Sequence, residues 1–335
     1  MLRSYQEQGK QKGWFGSRQE KPNKDDEDKE KSRKFGSHSV VLPTTPKQII
    51  DAHQGESACV RYDDSGADLV ATCGNDSLVK VWDTQNGSLR ATMRGTSGHI
   101  IASCDIAGGL VAGGGSDKQC RVWNLQTERM IHQLVGHANK ITAVRLFGDQ
   151  KLVLTASADR SLKIWDIARK TYRQTTTFRH GSTAYCVDVA SDSQSAVSGH
   201  MDGGLRFWDV RSGDRTGNIG HLHKDSITSV NINPAMSTQV LTQGKDSCLK
   251  IVDVRTGNVV HTLRHEEFRT GYNWSSSSFS PDGMLCMSAY FFVLFCSCKD
   301  SFSGLVTCPI RRCLRGCNFR NGWPVVRVER IGWKL

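Results

Sequence analysis

The chain has 335 residues, 38% of them hydrophobic, with 32 glycines, 12 cysteines and a formal net charge of +11. That length holds one large domain or two ordinary ones, and the glycine content suits short strands joined by tight turns. No apolar run approaches the length of a membrane-spanning helix, the longest being residues 289–296, and the polar, charged N-terminal residues do not read as a secretory leader.

The charge is unevenly placed. Residues 1–40 carry +3, residues 41–289 carry +2 and residues 290–335 carry +6. The basic excess that would point to nucleic acid belongs mostly to the C-terminal tail, so no nucleic-acid partner is expected. The cysteines show no disulfide-like spacing and read as reduced thiols.

In chain order, residues 1–38 are polar and include the run Asp25-Asp26-Glu27-Asp28-Lys29-Glu30-Lys31. Without apolar periodicity they are expected to form a disordered polar arm. Residues 39–50 read as an extended lead-in, because Pro43 and Pro46 are incompatible with helix there.

From His53 onward one pattern recurs. A loop residue, often His, precedes an alternating apolar strand; a turn and a second strand follow; an Asp-bearing turn leads to a third strand closing on Trp, and a more variable fourth strand comes last. The Asp and closing residues are Asp76/Trp82, Asp117/Trp123, Asp159/Trp165, Asp202/Trp208 and Asp246/Val252, with closing residues 41, 42, 43 and 44 positions apart. Such a period, with Trp-Asp at the strand end, marks an all-β WD40 propeller of four-stranded blades. Five blades and the first half of a sixth are recognisable within residues 39–289. Seven blades at this period would need roughly 290 residues.

The repeated polar residues form an expected internal network. The fullest set is His137, Thr155, Ser157, Asp159 and Trp165. Asp accepts from the turn backbone and from His, which is turned onto a hydroxyl that accepts the indole N–H. His53, Asp76 and Trp82 repeat the set in the first blade, and His223 and Asp246 in the fifth. Asp117 and Trp123 stand beside Gly113, Gly114 and Gly115, so that network is expected to be broken; Asp202 and Trp208 accompany Ser198. An Asp, His and Ser set also suits a hydrolase. Repetition in blade after blade points instead to a structural role, so neither catalysis nor a cofactor is expected.

Residues 290–335 carry no Asp-then-Trp signature, and composition changes in mid-repeat. This Cys- and Arg-rich tail reads as a retained intron or frame shift and not as a blade. Cys296, Cys298, Cys308, Cys313 and Cys317 lack paired short spacings, so no metal site is expected.

Beyond the shared repeat, three segments carry a more specific likeness: Ser198-Gly199-His200-Met201-Asp202-Gly203-Gly204-Leu205-Arg206-Phe207-Trp208-Asp209; Leu249-Lys250-Ile251-Val252-Asp253-Val254-Arg255-Thr256, where Trp is lacking; and the lead-in at residues 41–53. Asn273-Trp274-Ser275 followed by Ser280-Pro281-Asp282 fits as well. Across about residues 39–289 the chain resembles plant-type members of the autophagy-related protein 16 family. The resemblance implies a seven-bladed propeller after a helix that binds the conjugate of two other autophagy proteins and a dimerising coiled coil. It implies a scaffold that directs lipidation of a ubiquitin-like protein during autophagosome assembly. Expected partners are the autophagy conjugation proteins and propeller-binding peptides or membrane factors. The expected location is the cytoplasm, with recruitment to the phagophore assembly site and peripheral membrane association. No heptads precede Ser39, so dimerisation is not expected.

Two groups of residues are candidates for partner binding. Lys118, Lys140, Arg160 and Lys245 fall in inter-blade loops and Asp-bearing turns, a possible basic rim for acidic peptides or anionic lipid. Lys140 matches a family Lys. Arg211, in Trp208-Asp209-Val210-Arg211, fits the WDxR pattern of substrate receptors of cullin-type ubiquitin ligases, the alternative reading. An RNA-associated propeller rests on the high pI alone.

Overall fold

The second strand of each repeat in blades 1–5 is buried in all but its first residue, most first and third strands are largely buried, and the fourth strand is mostly exposed. Ser161–Asp166, for example, is largely buried, whereas Met130–Val135 buries only its third and fifth residues. Strands covered on both faces lie inside a stack of sheets, and half-covered strands lie at its outer edge. The computed structural model describes residues 49–63, 68–264, 268–270, 275–280, 282–283, 285–290, 292–297, 306–309 and 328–329. The expected polar arm, most of the lead-in, Trp274 and much of the tail lie outside the described residues.

The described strands form six four-stranded antiparallel sheets in chain order. Blade 1 is Ser57–Tyr62, Leu69–Gly74, Leu78–Asp83 and Leu89–Arg94; blade 2 is Ile101–Ala107, Leu110–Gly115, Gln119–Asn124 and Met130–Val135. Blade 3 is Ile141–Phe147, Leu152–Ser157, Ser161–Asp166 and Arg173–Arg179; blade 4 is Ala184–Val189, Ser195–His200, Leu205–Asp209 and Arg215–Ile219. Blade 5 is Ile227–Ile232, Gln239–Gly244, Cys248–Asp253 and Val259–Leu263. The sixth sheet is Ser276–Phe279, Leu285–Tyr290, Phe292–Ser297 and Val306–Pro309, and Ile49–Ile50 pairs with Val328–Glu329.

The sixth sheet extends past the half blade that the repeat pattern marks. The repeat pattern stops at residue 289, yet the backbone continues through two further strands of the same sheet. The apolar stretch Phe292–Ser297 suits a strand by composition, whatever its origin. It does not follow the blade grammar. One residue, 291, separates its second and third strands, where blades 1–5 place the Asp-bearing turn. Blades 1–5 each have a register shift between first and second strands, and another between third and fourth. The sixth sheet has neither. Such bulges increase local twist.

Successive blades bury apolar faces against one another. Between blades 3 and 4 the contact is Leu154, Leu162, Ile164 and Phe178 against Val187 and Trp208, with the Phe178 and Trp208 rings 5.2 Å apart. Leu241, Leu249 and Ile251 of blade 5 pack with Phe279 and Cys286 of the sixth sheet. The first strands also carry a buried ionic link that the sequence pattern does not reveal. Arg145 lies 3.5 Å from Asp105 and 2.6 Å from Asp188, tying blade 3 to both neighbours. Asp105 also accepts the Leu146 N–H and Asp188 the Ile232 N–H, each at 2.7 Å.

Candidate functional site: the blade networks and the basic rim

The Asp-bearing turns are built alike. Residues Ser77, Lys118, Arg160, Gly203 and Ser247, each directly after the Asp, have φ between +58° and +71°. A type I turn followed by a left-handed residue matches strand twist in a hairpin. Asp Oδ1 stabilises it by accepting an N–H two residues on, at 3.2 Å in Asp76 and Asp117 and 3.0 Å in Asp159 and Asp202. Four of the five left-handed positions carry a side chain. Glycine is required in blade 4, where a Cβ on Gly203 would overlap the His223 carbonyl oxygen.

The expected relay is complete in blades 1 and 3. His137 Nδ1 lies 2.8 Å from Asp159, His137 Nε2 lies 2.7 Å from Thr155 Oγ1, and Trp165 donates its indole N–H to the same hydroxyl at 2.9 Å. Proton directions follow from the partners. Burial depresses His137 below its ordinary value, outweighing Asp159, so the ring is neutral at physiological pH. Only Nδ1–H can bond a carboxylate, so Nε2 accepts from the Thr155 hydroxyl, which accepts from Trp165. Blade 1 repeats the geometry with His53, Asp76, Thr72 and Trp82 at 2.8–2.9 Å. Burial tends to raise the Asp159 carboxyl, but hydrogen bonds from Ser161, His137 and the Ala138 N–H bring it to about 2.

Blade 5 keeps His223, Asp246 and Thr242, with both His contacts at 2.9 Å, and Val252 takes the Trp place. Ser157 is outside the relay. Its hydroxyl lies between the Asn139 and Lys140 carbonyls, at 3.0 and 2.9 Å, and accepts the Asp159 N–H, fastening the inter-blade loop to the turn.

Blades 2 and 4 solve the same problem with Arg. In blade 2 Gly113 leaves no hydroxyl beneath Trp123, as expected from the glycine run, and Asp117 pairs with Arg121 at 2.5 Å. In blade 4 Arg206 binds Asp202 at 2.6 Å. The His of blade 4 comes from the second strand: His200 Nε2 meets Ser198 Oγ at 2.7 Å, and Trp208 donates to that oxygen at 2.7 Å. The residue four after the Asp discriminates the two solutions. It is Lys80, Lys163 and Lys250 where a loop His occupies the carboxylate, and Arg121 and Arg206 where none does. The three Lys ammoniums donate to loop carbonyls of Ala52, Gly136 and Leu222 at 2.6, 2.9 and 2.5 Å. This signal is visible in the sequence once the geometry explains it.

Each turn Asp therefore spends its charge inside its own blade. Lys118, Lys140, Arg160 and Lys245 are exposed at the same end of their blades, since second-to-third turns and inter-blade loops share that end of an antiparallel sheet. None of the four makes an ion pair among the described residues. Lys118 and Arg160 occupy the left-handed turn position, at φ +66° and +64°. Arg211 is exposed in the turn after Asp209, at the opposite end, so it does not join the other four. Among the described residues no group of three or more His, Cys, Asp or Glu could hold a metal ion, and no helix is long and apolar enough to cross a membrane.

The model of the family "WD domain, G-beta repeat" matches residues 44–83, 128–166 and 172–209, each span ending on a Trp-Asp pair. Among similar proteins, Protein tipD of Dictyostelium discoideum is 34% identical over 74% of this chain and 40% of its own length. Autophagy-related protein 16 of Arabidopsis thaliana is 32% identical over 72% of this chain and 47% of its own length. Autophagic-related protein 16.2 of Caenorhabditis elegans is 31% identical over 72% and 45%. The chain spans less than half the length of these curated relatives. Repeat spacing, turn geometry and relatives agree that the chain is an autophagy-related protein 16-like WD40 protein.

Proposed function

We propose that the chain is a non-enzymatic docking scaffold of autophagosome assembly, directing lipidation of a ubiquitin-like protein by holding other components together. The carrying observation is the rim. Its Asp carboxylates are turned inward, and Lys118, Lys140, Arg160 and Lys245 are left outward, without an ion pair among the described residues. Such a surface attracts acidic protein segments or anionic head groups. The blade relays orient and satisfy buried groups, which supports a binding role over catalysis. Autophagy conjugation proteins are the partners, and the place of action is the cytoplasm, with recruitment to the phagophore assembly site membrane.

The test is co-precipitation of the conjugation proteins with the full chain, beside Lys118→Glu/Lys140→Glu. Loss of recovery with retained folding is expected; unchanged recovery removes the rim from the proposal. A second reading, a substrate receptor of a cullin-type ubiquitin ligase, is favoured by the exposure of Arg211 just after Trp208-Asp209. Pull-down of the ligase adaptor that survives Arg211→Ala would dismiss it.

A further inference from the structure

At the end of the blades opposite the basic rim, blades 2 and 3 enclose a groove of about 630 Å3. A space of several hundred Å3 takes two or three side chains of a bound segment. Its apolar wall is Leu110 and Ile167 with Met130 and Ile131 at the mouth, the last two 48% and 47% exposed. The position paired to the closing residue of the third strand varies between blades: it is Leu89, Met130 and Val259 in blades 1, 2 and 5, and Gln174 and Arg215 in blades 3 and 4, and in blades 1, 3 and 4 the next residue is polar. Two adjacent half-exposed aliphatic side chains are therefore a local feature of this wall, shared in described residues by Val259 and Val260 of blade 5.

The rim of the groove is charged. Lys151, Arg169 and Lys170 are exposed around it, with Asp149 the one acid among the lining residues. None of these four makes an ion pair among the described residues. The lining thus has a surplus of two positive charges beside an apolar wall. The turn that carries Asp149 is also unusual. Gly148, Asp149 and Gln150 are all left-handed, at φ +61°, +51° and +60°, and Gln150 packs on Gly108 with no room for a Cβ there. Non-glycine residues in that region cost about 1 kcal/mol or more each, and such strain concentrates where a surface is shaped for binding.

We infer that this groove docks an extended acidic peptide segment, one aliphatic or aromatic side chain entering between Ile131 and Ile167 and flanking carboxylates meeting Lys151, Arg169 and Lys170. The charge surplus selects acidic over basic segments, and the apolar wall selects a peptide over a bare anion. The site is separate from the basic rim, so two partners can be held at once.

The test uses the full chain and a fluorescein-labelled twelve-residue peptide with a central Leu-Phe pair between Glu residues. Saturable binding is expected with Kd below about 1 mM, weakening steeply with salt. Ile131→Asp, a change at an exposed position, should weaken it at least tenfold, and Arg169→Glu/Lys170→Glu similarly. A peptide with Lys for Glu, or Ser for Leu-Phe, should not bind, and Lys118→Glu/Lys140→Glu should leave affinity within twofold. Absence of binding, or binding indifferent to the groove variants, overturns the inference.

Discussion

Thr155→Val probes the relay most directly, because it keeps side-chain shape and removes only the hydroxyl. Thr155 is fully buried, and its oxygen serves two groups: the Trp165 indole N–H at 2.9 Å and His137 Nε2 at 2.7 Å. Trp165 itself is 1% exposed, so water cannot readily replace the lost partner. Each buried polar group left unpaired costs about 1–3 kcal/mol, giving about 2–6 kcal/mol for the two together. Thr242→Val in blade 5 is the internal control. Thr242 is equally buried and meets His223 at 2.9 Å, but Val252 puts no indole above it, so one group is orphaned. The expected cost is about half, 1–3 kcal/mol. Thermal unfolding followed by tryptophan fluorescence and circular dichroism reads both. At roughly 2–4 °C per kcal/mol for a domain of this size, Thr155→Val should lower Tm about twice as far as Thr242→Val. Equal shifts, or a larger one for Thr242→Val, would refute the idea that the indole depends on the hydroxyl.

Three further outcomes are expected. Arg145→Met strips the shared cation from Asp105 and Asp188, and should cost about 3 kcal/mol in urea unfolding, with Arg145→Lys recovering part. Arg121→Lys in blade 2 cannot span both Asp117 and Thr96, each now 2.5 Å from a guanidinium nitrogen, and should cost about 1 kcal/mol. Acid should weaken the fold in two stages. Burial first, with the nearby His180 and Arg206 charges, lowers His200 from 6.5 to about 3, so the stability of its neutral form is lost as pH falls through that interval; Asp159, Asp202 and Asp246, lowered from 3.8 to about 2, lose theirs as pH falls from 3.8 through about 2, overlapping the end of the first stage. A pH series of Tm measures both stages, and His200→Gln should flatten the upper one.

Periodicity made blades 1–5 legible because each closing residue sits on a buried third strand whose position the spacing counts out. It also exposed the relay in blades 1 and 3, where His, Thr, Asp and Trp all stand at their repeat positions. The Arg substitutions in blades 2 and 4 are not legible, because Arg121 and Arg206 look like ordinary strand cations, and in blade 4 His180 stands in the loop yet turns to the Ser182 carbonyl instead of Asp202. His200 was hidden for a related reason: it reaches the Ser198 hydroxyl from two residues along the same strand, a local contact that no repeat comparison singles out. The Arg145 bridge joins three repeats, and its partners Asp105 and Asp188 are separated from it by 40 and 43 residues. Contacts between blades obey no spacing rule within one. The second half of the sixth sheet is not legible in the repeat pattern because its third and fourth strands carry β-favouring residues without the Asp-bearing turn that announces a blade.

The exchange of His for Arg bears on why the rim is basic. A turn Asp is needed to hold the left-handed residue after it, and its carboxylate must then be satisfied at the sheet end. Neutral His satisfies it with one N–H and leaves the strand Lys to cap a loop carbonyl; Arg satisfies it with an ion pair and needs no His. Both solutions draw the carboxylate inward, as its pKa of about 2 in blades 3, 4 and 5 reflects: burial opposes the shift, and the inward hydrogen bonds overcome it. Outside blade 4, where Gly203 is required, residues on either side of the Asp are then free to vary without endangering the turn. Lys118, Arg160 and Lys245 occupy those neighbouring positions in three of the five turns, whereas Ser77 and Gly203 follow the Asp in the others. The fold specifies the anion at each turn; the cations beside it are the part that a partner can select.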